Sequence, residues 1–152
     1  MNLNEEVEVL KRIPIFAKME LATIKLIAFT GERMNYTEGQ ELCHQGDPGD
    51  AMYVILGGVA EVLIDTPAGA IQVAELRKNN FFGETAILCD APRNATIKAR
   101  EPLVTLKISR DMFYRLVAEV PQMAIEIMRE LAHRVDDANK KLQEATAPSK
   151  AA

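Results

Sequence analysis

The chain has no tryptophan, only two cysteines and two histidines, and aromatic residues make up 5% of it. Cys43 and Cys89 stand far apart and outside any paired spacing. A disulfide framework, a structural zinc site or an iron–sulfur cluster needs more ligands at tighter spacing. The thiols are therefore expected to be reduced, and no metal or cofactor is expected. His44 and His133 are equally distant from one another. Their spacing assembles neither a clustered histidine–carboxylate metal site nor a nucleophile–base pair, so an enzyme is not expected. A surplus of positive charge is missing too: 18 Lys and Arg stand against 22 Asp and Glu, for a net charge of −4. That removes the basic face by which proteins displace counterions from nucleic acid. No apolar run approaches the ~20 residues that a membrane helix needs. The acidic Met1–Lys11 stretch is unlike a secretory leader. The expectation is a cytoplasmic protein with no membrane and no nucleic-acid partner.

What is present is the composition of a globular domain: 152 residues, 48% hydrophobic and 26% charged. That length suits one compact core, taken here as a single domain over 1–145 with a flexible tail over 146–152. Residues 4–12 open with Asn4 and early acids, a helix start. Pro14 interrupts them and leaves Ile13, Ile15 and Phe16 as an apolar hook. Residues 19–30 carry a broad apolar face and read as helix. From Arg33 to Ser109 the segments become short and are punctuated by glycine and proline. Strands are expected at 52–56, 59–64, 71–76, 95–99 and 103–108, the pattern of a β-sandwich or barrel. Gly46-Asp47-Pro48-Gly49-Asp50 reads as a tight turn. Beyond Ser109, a capping residue, helical patterning returns and runs to about Ala145. Pro121 starts the last helix at its first position, giving it a length of about 37 Å. The order is helices over 4–30, a β-roll over 33–108, and helices over 109–145.

One loop concentrates chemistry: Phe81-Phe82-Gly83-Glu84-Thr85-Ala86-Ile87-Leu88-Cys89-Asp90-Ala91-Pro92-Arg93-Asn94-Ala95-Thr96. Gly83 permits close backbone approach. Thr85–Leu88 is expected to form one helical turn with free N–H groups. Glu84 can accept from a hydroxyl, and the Arg93 guanidinium can grip phosphate oxygens through paired hydrogen bonds. The residues alone leave two readings open. One is an internal Glu84–Arg93 salt bridge; the other is a ligand carrying both a hydroxyl and a phosphate.

This loop resembles the phosphate-binding cassette of cyclic nucleotide-binding domains, as found in protein kinase A regulatory subunits, cyclic-nucleotide-gated channels and regulators of the catabolite activator class. Phe82, Gly83, Glu84, Ala86, Pro92, Arg93 and Ala95 match the cassette at its spacing. The Gly46–Asp50 turn and the Tyr53-Val54-Ile55 strand ending at Gly57-Gly58 are also similar, and the likeness extends from about Val9 to Val135. The resemblance implies an α+β fold: an antiparallel β jelly-roll barrel, or double-stranded β-helix, flanked by N-terminal and C-terminal helices. It implies a sensor for cyclic AMP, with Glu84 on the ribose 2′-hydroxyl and Arg93 on the cyclic phosphate. Backbone groups around Gly83, Thr85, Ala86, Asn94 and Ala95 would complete the ligand contacts. Thr85 replaces the more frequent Leu or Met. Asn94 stands where Ala or Ser is frequent in cyclic AMP binders and Thr in cyclic GMP binders, so cyclic GMP stays open as ligand. So does a fold that has lost its ligand and serves as a protein-interaction module. Ile71, Val73 and Phe82 are the candidate base pocket.

On the last helix Ala124, Met128, Leu131, Val135, Ala138 and Leu142 recur at steps of four and three, a heptad seam. This stripe is a candidate homodimer contact through helix 121–145, with Met128, Leu131, Ala132 and Val135 as candidate lid over the ligand. No helix-turn-helix pattern follows before Ala152. The output is therefore expected to pass to a downstream partner protein, which the sequence does not identify.

Overall fold

The computed structural model describes residues 2–146. Three helices come first: α1 (Leu3–Lys11), α2 (Pro14–Ala17) and α3 (Leu21–Thr30). Asn2, not Asn4, caps α1, its side chain accepting from the Glu5 N–H. The expected apolar hook is α2 itself, with Pro14 at its start and Ile15 and Phe16 buried.

Eight strands follow: β1 (Glu32–Tyr36), β2 (Glu41–Cys43), β3 (Ala51–Gly57), β4 (Ala60–Thr66), β5 (Gly69–Leu76), β6 (Phe81–Phe82), β7 (Thr96–Ala99) and β8 (Leu103–Ser109). They form two antiparallel four-stranded sheets, in the orders β1-β8-β3-β6 and β2-β7-β4-β5. This is the jelly-roll arrangement of eight strands in a double sheet. Strands β1, β2 and β6 escaped the sequence reading. They are two to five residues long, and β1 is mostly polar and exposed because it lies at a sheet edge.

Two apolar clusters divide the interior. Tyr36, Ala51, Tyr53, Ile55, Phe82, Ile97 and Leu103 fill the space between the sheets. Met52, Val54, Leu56, Leu106 and Ile108 point the other way and meet the helices through Leu10, Phe16, Ile27, Ile87, Phe113 and Ile127. Strand β3 is therefore buried on both faces, which is why Ala51–Leu56 reads as an unbroken apolar run without alternation.

A five-residue helix, α4 (Glu84–Leu88), interrupts the β-roll, and two helices close the chain: α5 (Arg110–Glu119) and α6 (Pro121–Thr146). Ser109 caps α5 through the Met112 N–H. Helix α6 includes Thr146, the first residue of the expected tail; the remainder of that tail lies outside the described residues. Near its root α6 buries Met123, Glu126 and Ile127. There Glu126 accepts from Gln122 and Arg129 and meets Lys18 at 3.5 Å, which ties α6 to the end of α2.

Candidate ligand-binding site

Strand β6 pairs with the middle of β3, Tyr53 opposite Phe82 and Val54 opposite Phe81. The chain then turns sharply at Gly83, whose φ of 99° is left-handed. A side chain could not stand there. A Cβ on residue 83 would lie 2.5 Å from the Ala51 carbonyl oxygen and 2.6 Å from Arg93 Nη1. Glycine thus serves two needs at once, the positive φ and the close approach of a guanidinium.

Arg93 is 6% exposed. Its Nη2 donates to the Ala51 carbonyl at 2.8 Å, while Nε and Nη1 are buried with no acceptor. Its Cζ lies 5.7 Å from the Tyr53 ring centroid. Burial pushes the Tyr53 phenol up to about 12, so it faces Arg93 as a neutral group and supplies no counter-charge. The cation is therefore buried, fixed in place and unneutralised. An isolated buried charge costs several kcal/mol, roughly, unless something pairs with it.

Glu84 opens α4 and is 1% exposed. The internal Glu84–Arg93 salt bridge, one of the two readings the residues left open, does not form. Instead Oε1 accepts from Arg134 Nη1 at 2.5 Å, and Oε2 is buried without a partner. Burial pushes the Glu84 carboxyl above the usual carboxylate range, and Arg134 and backbone hydrogen bonding pull it partly back. Arg134 reaches in from α6. Its Nη2 donates to the Phe81 carbonyl at 3.1 Å, its Nε lies 3.4 Å from Glu130, and its guanidinium sits 5.2 Å from the Phe81 ring centroid.

These groups surround one cavity of about 470 Å³. Gly83, Glu84, Thr85, Ala86, Arg93, Asn94 and Ala95 all border it, as does Phe82, which stacks on Tyr53 with centroids 4.9 Å apart. Val62, Leu76 and Ile97 give it apolar walls, and Cys43 borders it with a thiol that burial holds in the neutral form. The size and the mixture of apolar wall with a few converging polar groups are those of a small-molecule site.

Two expectations about this cavity need correcting. Ile71 and Val73 do not border it; they are 49% and 41% exposed. The β4–β5 register shifts between Val62 and Leu63, so that Val62 faces Ala74 and Leu63 faces Gln72. Val73 is the extra residue and the even alternation breaks there, while Ile71 pairs with Ile64 nearer the hairpin end, beyond the wall that Ala74 and Leu76 form. The lid residues also differ. Met128, Ala132 and Val135 are exposed, and Leu131 packs against the helical core. At 100° per residue Met128, Ala132 and Val135 are rotated away from the face of α6 that meets the cavity. That face is polar: Glu130, Arg134, Asp137 and Lys141, with Ala138. Their own helical spacing was the signal that the search for apolar periodicity passed over.

Among the described residues there is no group of three metal-ligating side chains, and no helix is long and apolar enough to cross a membrane. The family model of the cyclic nucleotide-binding domain matches residues 33–120. The chain is 37% identical over 109 residues to a cAMP-dependent protein kinase regulatory subunit of Blastocladiella emersonii, covering 71% of this chain and 27% of that protein. It is 32% identical over 123 residues to the corresponding subunit of Dictyostelium discoideum, covering 78% and 36%. Among solved structures, the catabolite activator protein of Thermus thermophilus superposes with a TM-score of 0.80 at 25% identity, covering 88% of this chain and 63% of that one. The chain thus spans about a third of the length of the curated relatives it matches.

Proposed function

Since the chain belongs to the cyclic nucleotide-binding domain family, we propose that its cavity takes a 3′,5′-cyclic nucleotide, cyclic AMP in preference to cyclic GMP, and that the domain works as a cytoplasmic sensor without catalysis. The buried guanidinium of Arg93, with two donors left free, carries this reading. A cyclic phosphate supplies the single negative charge and the oxygens those donors lack. The free Oε2 of Glu84 accepts from the ribose 2′-hydroxyl, while Oε1 keeps Arg134. Sugar and helix α6 thereby share one carboxylate. Any preference of the ligand for the clasped position of α6 becomes the coupling energy of a signal to a downstream protein. The preference for cyclic AMP follows the curated relatives, both named as cAMP-dependent.

Calorimetric titration with cyclic AMP, cyclic GMP and 2′-deoxy cyclic AMP tests the reading. Saturable heat with cyclic AMP is expected, and weaker binding of the deoxy analogue. No heat from any of the three would leave the ligand-free interaction module as the better account.

The role of Glu84 has a pH signature. Its raised pKa in the fold means that it protonates at higher pH than a carboxyl in water. Its contribution to the stability of the ligand-free fold is full below the ordinary carboxylate pKa and is lost as pH rises through the raised value. In the same window a neutral Glu84 loosens its hold on the sugar. The preference for cyclic AMP over its deoxy analogue should therefore shrink as the solution is acidified. A preference constant across that range removes Glu84 from the sugar.

A homodimer through α6 is part of the proposal. Met128, Val135 and Leu142 stand seven residues apart and are 60%, 61% and 62% exposed. This is the seam of a short coiled coil. Val135→Asp should convert a dimer to a monomer in sedimentation. A wild-type protein that sediments as a monomer rules the seam out.

A further inference from the structure

The hydroxyl of Tyr114, on α5, donates to the carbonyl of Ile87, on α4, at 3.0 Å. Helix α4 is five residues long and its first turn has no side-chain cap. At its other end the backbone closes the helix, Cys89 N–H on Thr85 and Ala91 N–H on Ala86, and the Ile87 carbonyl accepts from the Cys89 and Asp90 N–H groups as well as from the Tyr114 hydroxyl. The second polar tie between α5 and this loop, Arg110 to Asp90, ends on a carboxylate that is 86% exposed, where an ion pair contributes little. Those backbone bonds close α4 on itself but do not orient it in the molecule; the Tyr114 hydroxyl ties its last turn to a neighbouring helix.

Solvation does not require this bond. Tyr114 is 46% exposed, and water could satisfy its hydroxyl. Its consequence is geometric. The Ile87 side chain is fully buried in the helical core, so one end of α4 is anchored there, and the Tyr114 bond fixes the direction of the peptide next to it. Glu84 lies at the opposite end, about 4.5 Å away along the axis. A tilt of so short a helix moves the carboxylate directly. We infer that Tyr114 is a positioning residue, which holds α4 so that Glu84 discriminates the sugar of the ligand. This rests on the cyclic nucleotide reading given above.

Tyr114→Phe tests it, because the variant keeps the ring and its edge contact with Phe113 and removes only the hydroxyl. One neutral hydrogen bond corresponds to about a fivefold change in equilibrium. The ratio of affinities for cyclic AMP and 2′-deoxy cyclic AMP should fall about fivefold, with the affinity for the deoxy analogue, held through Arg93, unchanged. The melting temperature should stay near that of the wild type. In the ligand-free variant the amides of Ile87 to Asp90 should exchange with solvent faster. An unchanged ratio overturns the inference, and so does an equal loss for both nucleotides, which would mark a general weakening of the fold. Should the wild type bind neither nucleotide, the functional reading fails separately. Amide exchange then decides the positioning by itself: unaltered exchange in the variant overturns it.

Discussion

Arg93→Ala is expected to weaken cyclic AMP binding by about a hundredfold to several thousandfold, since losing one partner of a buried charge pair costs ~3–5 kcal/mol and each 1.4 kcal/mol is a factor of about ten. The guanidinium is held ready for an anion. One nitrogen is fixed on the Ala51 carbonyl, and the other two are buried with nothing to accept from them. Arg93→Lys should not restore affinity, because a lysine ammonium offers no planar fork and cannot hold the Ala51 carbonyl and two phosphate oxygens in the same geometry. The ligand-free proteins should behave in the opposite sense. Removing an unneutralised buried cation relieves a cost that no protein group offsets, so the alanine variant should melt no lower than the wild type. Calorimetry and thermal melting together check this. Equal affinities in wild type and Arg93→Ala would end the assignment of this cavity to a phosphate-bearing ligand.

Gly83→Ala should have the next largest effect, and it should strike both stability and binding. The φ of 99° disfavours any residue with a Cβ, at a cost of roughly 1–3 kcal/mol. The added methyl would also stand 2.5 Å from the Ala51 oxygen and 2.6 Å from Arg93 Nη1. Neither neighbour can yield freely. Ala51 is fully buried at the start of β3, and Arg93 is bonded to that same oxygen. Relief must come from displacing the guanidinium, so affinity should fall even in molecules that remain folded. Denaturant unfolding combined with titration separates the two effects. A variant that keeps both its midpoint and its affinity would show that the joint is looser than these distances describe.

Much of the molecule was legible in advance, for identifiable reasons. The long helices announced themselves by periodicity and caps, Ser109 and Pro121 at their starts. The central strands showed as short apolar runs between glycines. The edge strands β1, β2 and β6 did not, because two to five residues carry too little pattern. At the site, Gly83, Glu84 and Arg93 were found because they share one short loop. Arg134 was missed because it comes from another element. The base wall was misassigned for a different reason: an extra residue at Val73 breaks the alternation of β5, and Ile71 pairs with Ile64 nearer the hairpin end, past the cavity.

The local chemistry belongs to the sequence: a glycine where the chain must turn left-handed, an acid and an arginine one loop apart, and helices of set length and polarity. Partnership belongs to the tertiary structure. Folding decided that Glu84 meets Arg134 and leaves Arg93 without a counter-charge, and that α6 turns its polar face to the cavity and Met128, Val135 and Leu142 of its heptad stripe to solvent. The physical reason is that spacing along a chain fixes which residues can share a turn or a face. Which groups lose their water together, and which of them then lack a partner, is set only when distant elements pack.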